Sequence, residues 1–333
     1  MHMNYKSSSS NLFCQHVAFL CDQMKINSTH VLYFTLSAFL DTGMLSYFFF
    51  TIILSLYVLI ISSNVLLIAV ICVNRTLHEP MFLFLCSLFV NELYGSLGLF
   101  PFLLVQILSD VHIIFAPLCL LQIFILYTYG SVEFTNLAVM SYDRYVAICC
   151  PLQYNSLMTS RRIAILISII WLPPLFCVGF TVFLSSSLQL CGNVINKVYC
   201  DNHSIIKLAC NDPTANNIYE LIMAFFTVCV PVSVIVYTYM RILQVCFSGS
   251  KQTRQKAVST CTPHLASIIN FSFGVSFEIL QSRFNMNTAP GLLRTIFPLY
   301  YLTCQPLFNP VLYGLNMSKI RSIPFAYKLW SGW

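Results

Sequence analysis

The sequence predicts an all-α membrane protein, a bundle of seven transmembrane helices with its amino terminus outside the cell. Three observations carry that prediction. Of 333 residues, 58% are hydrophobic and 8% are charged, with a mean hydropathy of +0.77. Soluble domains carry about 25% charged residues, so this chain has too few charges to wet its own surface, and its solvent must be lipid. Apolar runs recur seven times, each near the roughly 20 residues that cross a bilayer core. Finally, Lys and Arg are scattered unevenly between those runs. The net charge of +6 is therefore not gathered on one face, which excludes a basic nucleic-acid binder.

Residues 1–44 form a polar amino-terminal segment that includes Ser7-Ser8-Ser9-Ser10. It lacks the charged start, clean apolar core and small-residue cleavage site of a removable signal, so the first spanning helix is expected to target the chain. Asn27-Ser28-Thr29 is a glycosylation sequon, meaningful only if this end lies outside. The bundle follows over 45–315, with apolar runs at about Leu45–Cys72, Met81–Leu108, Pro117–Cys149, Ile163–Leu184, Ile218–Gln244, Val258–Leu280 and Leu292–Leu315. Trp171, Pro173 and Pro174 lie inside the fourth. A membrane helix accepts such prolines when neighbours satisfy the freed backbone groups. Residues 316–333 form a short cytoplasmic tail without a cysteine to acylate.

Orientation follows from the cations. With the amino terminus outside, Arg75, Arg144, Arg161, Arg162, Arg241, Lys251, Arg254, Lys256, Lys319, Arg321 and Lys328 lie inside, eleven of the 17. Lys6, Lys25, Lys197, Lys207, Arg283 and Arg294 make up the six outside. The sequons at Asn74 and Asn316 then face the cytoplasm and are silent.

Of 15 cysteines, nine lie in or beside apolar runs, where they read as small buried hydrophobes. No CxxC or His-rich spacing suggests structural zinc. Cys119 sits at the outer mouth of the third run, and Cys191, Cys200 and Cys210 lie in the long outer connection Ser185–Asn217. The outer face is oxidising, and four cysteines permit three pairings.

The stretch Leu137–Tyr154 reads LAVMSYDRYVAICCPLQY. Asp143 and Arg144 stand side by side in a hydrophobic helix, where each charge is costly without a partner. From Cys119 to Arg144 is 144 − 119 = 25 residues, roughly 37 Å of helix, so one element links an outer tether to an inner charged pair. The last run ends Asn309-Pro310-Val311-Leu312-Tyr313, and the sixth begins Lys256-Ala257-Val258-Ser259-Thr260-Cys261 with His264-Leu265 after it. Thr238-Tyr239 closes the fifth, Leu77-His78-Glu79-Pro80-Met81 precedes the second, and Asn64 is the polar residue of the first.

These motifs, in this order and over about Met24–Arg321, resemble those of vertebrate odorant receptors, rhodopsin-like receptors coupled to G proteins. HEPMF followed by LCSLFVNELYGS leans toward the fish-type branch. The resemblance implies a small-molecule odorant bound within the bundle and a heterotrimeric G protein of the stimulatory, olfactory type that raises cAMP. It also implies a multi-pass protein in the plasma membrane of olfactory sensory neurons, with no enzymatic activity, no cofactor and no nucleic-acid partner. Such receptors have short amino-terminal segments, so residues 1–23 read as an extension ahead of a start at Met24.

The resemblance pairs Cys119 with Cys200 and Cys191 with Cys210. It casts Asp143, Arg144, Tyr145, Tyr239, Asn309, Pro310 and Tyr313 as the G-protein switch, with Asp143 holding Arg144 at rest. The reading against it is an interfacial Arg snorkelling to headgroups. Ligand contacts are expected at Ile123, Leu126, Tyr127, Gly130 and Ser131, which follow a helical stripe. Further family positions fall on Met223, Ala224 and Thr227, on Ser272, Val275, Ser276 and Ile279, and on Leu302 and Thr303. These are mainly apolar with a few hydroxyls, which suits a small organic ligand. Leu126 stands where amine receptors place an acid. Glu278 and Arg283 face either a charged odorant or the outer loop.

Two further acids are expected to face the bundle interior, since an acid facing lipid is costly. Glu92 lies twelve residues after Pro80 and Glu133 eleven before Arg144. With Asn309 they are expected to hold a sodium ion or share a proton, because two ionised carboxylates do not share a dry site without a cation. Two protonated acids bonded to backbone is the structural alternative. The chain departs from the family pattern in having no Trp-x-Pro in the sixth run and Ser272 where a tyrosine is usual. A non-olfactory receptor of the same class fits the same residues. A transporter predicts inverted repeats, and none is present in the sequence; an intramembrane enzyme needs a nucleophile with its base, or a metal cluster.

Overall fold

The computed structural model describes residues 31–39, 43, 45–248, 251–283 and 291–316. Met24, Asn27 and the tail beyond 316 lie outside them. Among the described residues seven long helices follow one another: α1 Leu45–Val73, α2 Pro80–Ile107, α3 Ala116–Cys149, α4 Ser160–Ser186, α5 Thr214–Ser248, α6 Lys251–Arg283 and α7 Gly291–Asn316. Five of them, α1 to α5, are long and apolar enough among the described residues to cross a membrane.

Two helix starts follow directly from the sequence. Pro80 opens α2 after an extended Glu79, using the position where a missing N–H costs nothing. Thr159 caps α4 by accepting from the Arg162 amide at 3.4 Å. α4 stays helical through Pro173 and Pro174. α5 and α6 run several residues past their apolar stretches, because a helix keeps its backbone bonds satisfied internally until it is clear of the hydrocarbon.

α3 is the central element, packed against α2, α4, α5 and α6. Its midsection is buried on nearly every side, with Val132, Glu133, Phe134, Asn136, Leu137 and Met140 all at most 1% exposed. By contrast, exposed Leu, Ile, Val and Phe side chains cover the outside of α1, α4 and α5, the distribution expected where lipid rather than water is the solvent.

The outer face carries a small sheet that the helical periodicity does not announce. Its strands are β1 Tyr33–Leu36, β2 Ile113–Phe115 and β3 Val194–Ile195, in the order β2-β1-β3. β1 pairs antiparallel with β2, placing Phe34 opposite Ile114, and parallel with β3, placing Leu36 opposite Ile195. Alternate residues of β1 point inward, so Phe34 and Leu36 pack with Ile114, Ile195, Cys119 and Cys200. The amino-terminal segment thereby bridges the first and second outer loops.

Candidate functional site

Two disulfides shape the outer mouth. Cys119 at the head of α3 is bonded to Cys200, and Cys191 to Cys210, with Cα separations of 5.5 and 5.1 Å. They hold the second outer loop over the bundle, where it folds into β3 and a short helix, Asn202–Lys207. Asp201 caps that helix by accepting from the Ser204 amide. Asn202, in the loop's sequon, is 1% exposed; its amide donates to Glu220 at 3.1 Å and accepts from the Ser185 hydroxyl at 2.5 Å. A side chain so engaged offers no acceptor for a glycan.

Beneath the loop lies a chamber of about 200 Å³. Its α3 wall is Leu126, Tyr127, Gly130, Ser131 and Phe134, its α5 wall includes Met223, Ala224 and Thr227, and α6 contributes Val275 and Ile279. Five residues proposed from the family pattern lie elsewhere. Ile123 is buried among the disulfide-bonded residues, one turn above the chamber. Ser276 is exposed on the outer face of α6, and Leu302 is packed in the core. Thr303 returns its hydroxyl to the Leu299 carbonyl of its own helix at 2.7 Å. Ser272 is half-buried and does not line the chamber, and its hydroxyl has no partner among the described residues. The neighbouring Phe271 takes the central place instead, fully buried and edge-on to Phe134 at 4.9 Å and to Tyr129 at 6.1 Å.

The chamber roof is polar, and most of it escaped the sequence reading. Glu278 accepts from Lys197 Nζ at 2.5 Å and from the Tyr199 hydroxyl at 2.7 Å. Glu220 accepts from Arg283 Nη2 at 2.6 Å and meets His203 Nδ1 at 3.2 Å. Glu278 and Arg283 therefore face the loop and α5 while still lining the chamber. Burial alone would pull the Lys197 ammonium down, but Asp201 and Glu278 outweigh it and hold its pKa above the ordinary lysine value. Burial, then the Glu278 carboxylate, raises the Tyr199 phenol.

Under the aromatic floor the two interior acids meet. Both are 0% exposed. Asn309 Nδ2 donates to Glu92 Oε1 and, at 3.0 Å, to Glu133 Oε1. Asn91 Nδ2 donates to Glu133 Oε2 and the Tyr129 hydroxyl to Glu92 Oε2, each at 3.0 Å. Gln305 Nε2 reaches Glu133 at 3.3 Å and the Ser267 hydroxyl at 2.9 Å, and Ser267 donates to Asn309 Oδ1 at 2.7 Å. α2, α3, α6 and α7 are thus joined through one polar knot. Asn91, Gln305 and Ser267 carried no signal in the sequence beyond being polar in apolar runs.

At the inner end Asp143 is 0% exposed and binds Arg144 through Nη2 at 2.5 Å and Nε at 3.1 Å. Its other oxygen accepts from the Tyr154 hydroxyl at 2.8 Å, a partner the motif did not predict. Burial and then the Asp143 charge raise the Tyr154 phenol, so it donates at any physiological pH. Tyr145 lies against Tyr237, ring centroids 6.4 Å apart. The Tyr239 hydroxyl and His264 Nδ1 are 2.6 Å apart and buried, which makes His264 a structural tie between α5 and α6. Pro310 and Tyr313 are buried on α7.

Comparison with known proteins gives the family. The family model described as "Olfactory receptor" matches residues 52–325. Human olfactory receptor 11A1 is 37% identical over 293 residues, covering 86% of this chain and 91% of that protein. Human olfactory receptor 2G6 is 34% identical over 290 residues, covering 86% and 91%. Among solved structures, squid rhodopsin superposes with a TM-score of 0.70 at 17% identity, covering 87% of this chain and 84% of that one, which shows the shared fold. The chain belongs to the olfactory receptor family.

Proposed function

We propose that the chamber under the second outer loop is the ligand site of this receptor, and that the polar knot passes its occupancy to the Asp143–Arg144 pair. As a member of its family the chain is a multi-pass receptor of the plasma membrane rather than an enzyme. It senses small odorants and signals to a heterotrimeric G protein. What supports the chamber as the site is its form: apolar walls, a few hydroxyls and a polar roof, closed by a disulfide-tied loop, as expected for a small organic ligand.

At the inner end, freeing Arg144 from Asp143 presents a guanidinium to the G protein, and Tyr154, Tyr239 and Tyr313 stand around it as local partners. In the knot, the pair Glu92 and Glu133 carries one compensating positive charge, a shared proton or a sodium ion. The oxygen-rich donor set suits a hard cation. The amides donating to both acids favour their charged forms, so the pair keeps negative charge that a cation or proton must offset. Apart from this charge the receptor takes no cofactor.

The single observation that carries the reading is the continuity of chamber, floor, knot and latch along α3. Ligand-evoked cAMP in cells expressing the chain tests it. Arg144→Ala is expected to abolish the response while leaving surface expression intact, and Tyr127→Ala or Phe134→Ala to weaken it. A response that survives Arg144→Ala would show that signalling does not pass through the latch.

A further inference from the structure

The third-helix wall of the chamber contains a glycine that helix packing does not require. Gly95, Gly98 and Gly274 are forced by their neighbours: a Cβ built on them would lie 2.4 Å from the Tyr129 ring, 2.5 Å from Ile125 and 2.5 Å from Tyr301. A Cβ on Gly130 would meet nothing within 4 Å, and its φ is not positive. Gly179 is also unforced, with only Phe124 at 3.9 Å, but it does not line the chamber. Inside a helix, glycine is a net cost relative to alanine. At Gly130 the chain bears that cost without gaining a close helix contact or an unusual backbone conformation.

What the missing side chain leaves is space. Gly130 lies between Leu126, one turn above, and Phe134, one turn below, and all three line the chamber. We infer that Gly130 sets the shape of the ligand: the bay it leaves in the α3 wall seats a branched or cyclic hydrocarbon group, while the ligand's polar group faces the roof. The chamber of about 200 Å³ is smaller than the roughly 300–1,000 Å³ of sites for drug-sized ligands, so the ligand is compact and a methyl in the bay takes room from it. This inference rests on the chamber being the ligand site, as proposed above.

Two experiments on the full chain test it. In a cAMP assay, paired straight-chain, branched and cyclic alcohols and ketones of equal carbon number are applied to wild type and to Gly130→Ala. The variant is expected to lose roughly ten-fold or more in potency for branched and cyclic members relative to their straight partners, with a thermal midpoint unchanged or raised. Equal loss for both shapes, or no loss, overturns the shape role.

The second experiment needs no agonist. Gly130→Cys is treated from outside with a narrow and with a ring-bearing membrane-impermeant thiosulfonate, and wild type gives the background from its own cysteines. Comparable labelling by both reagents above background supports the bay. Labelling by the narrow one alone overturns the bay but leaves the chamber standing, whereas labelling by neither overturns the chamber itself.

Discussion

The outer and middle thirds of the bundle both bury carboxylates, and they treat them in opposite ways. At the roof, Glu278 and Glu220 are matched by Lys197 and Arg283 at 2.5 and 2.6 Å. In the knot, Glu92 and Glu133 are met by amides and a hydroxyl, with no lysine or arginine among their hydrogen-bond partners in the described residues. Fixed cations make the roof a set of pairs whose charges are balanced by side chains held in place. On the proposed reading the knot's charge is balanced by something mobile, a proton or a small cation, and that is the property a switch needs. Buried ion pairs contribute little net stability, yet breaking one partner is costly.

Variants of the outer half should break the comparison from its side. Cys119→Ser removes a bond across 81 residues of sequence, and such losses cost about 2–5 kcal/mol. It should abolish surface expression or lower the thermal midpoint sharply. Cys191→Ser opens a loop with a separation of only 19 and should cost less, because closure entropy grows with loop length. Equal losses would show that the second bond organises the roof as much as the first.

Asn309→Ala probes the middle directly. It strips one donor from both acids and should destabilise by roughly 3 kcal/mol, read as a lower melting temperature in detergent. The conservative Asn309→Asp should not rescue it, since it adds a third acid. Lys197→Met comes next, at about 1.5–3 kcal/mol. Its pH signature has a definite sign. The folded pKa lies above the ordinary 10.5, so the pair's contribution is fully present below that value and lost as pH rises through the higher folded value. Wild type should therefore lose stability in that alkaline range and Lys197→Met should not.

Tyr154→Phe deletes the donor to Asp143 at 2.8 Å, worth about 0.5–1.5 kcal/mol. It should raise basal cAMP several-fold rather than lower stability, because the hydroxyl helps hold the latch shut. The smallest effect is expected at Asp212, whose carboxylate accepts from the Thr214 amide and hydroxyl at the start of α5. Those bonds depress its pKa. Their contribution is present above the ordinary aspartate value and lost as pH falls through the lower folded one, so Asp212→Ala should show only faster amide exchange in the first turn of α5.

Much of this was legible in the chain. Asp143, Arg144, Glu92 and Glu133 stand out because a charge in an apolar run must have a reason to be there, and Asn309 because it opens Asn309-Pro310-Val311-Leu312-Tyr313. The seven runs were legible by their length and apolar character. Gln305 and Asn91 were not, since an amide carries no charge to flag it. Tyr154 lies beyond the helix end and acts through a turn that the motif does not encode. The roof depends on loop, α5 and α6 converging, so Lys197, His203 and Glu220 acquire roles only from the tertiary fold. β1 is four residues long, too short for an alternation to rise above chance. Phe271 gains its place between Phe134 and Tyr129 only from the packing of α6 on α3, which an apolar run does not reveal.

The contrast between fixed and mobile charge is tested most directly by the melting temperature of purified receptor in sodium and in choline, each measured from mildly acidic to neutral pH. The account predicts a midpoint that shifts with sodium or with pH in wild type and is flat in both for Glu133→Gln, while Glu278→Gln keeps the wild-type dependence. A wild-type midpoint indifferent to sodium and to pH would contradict it.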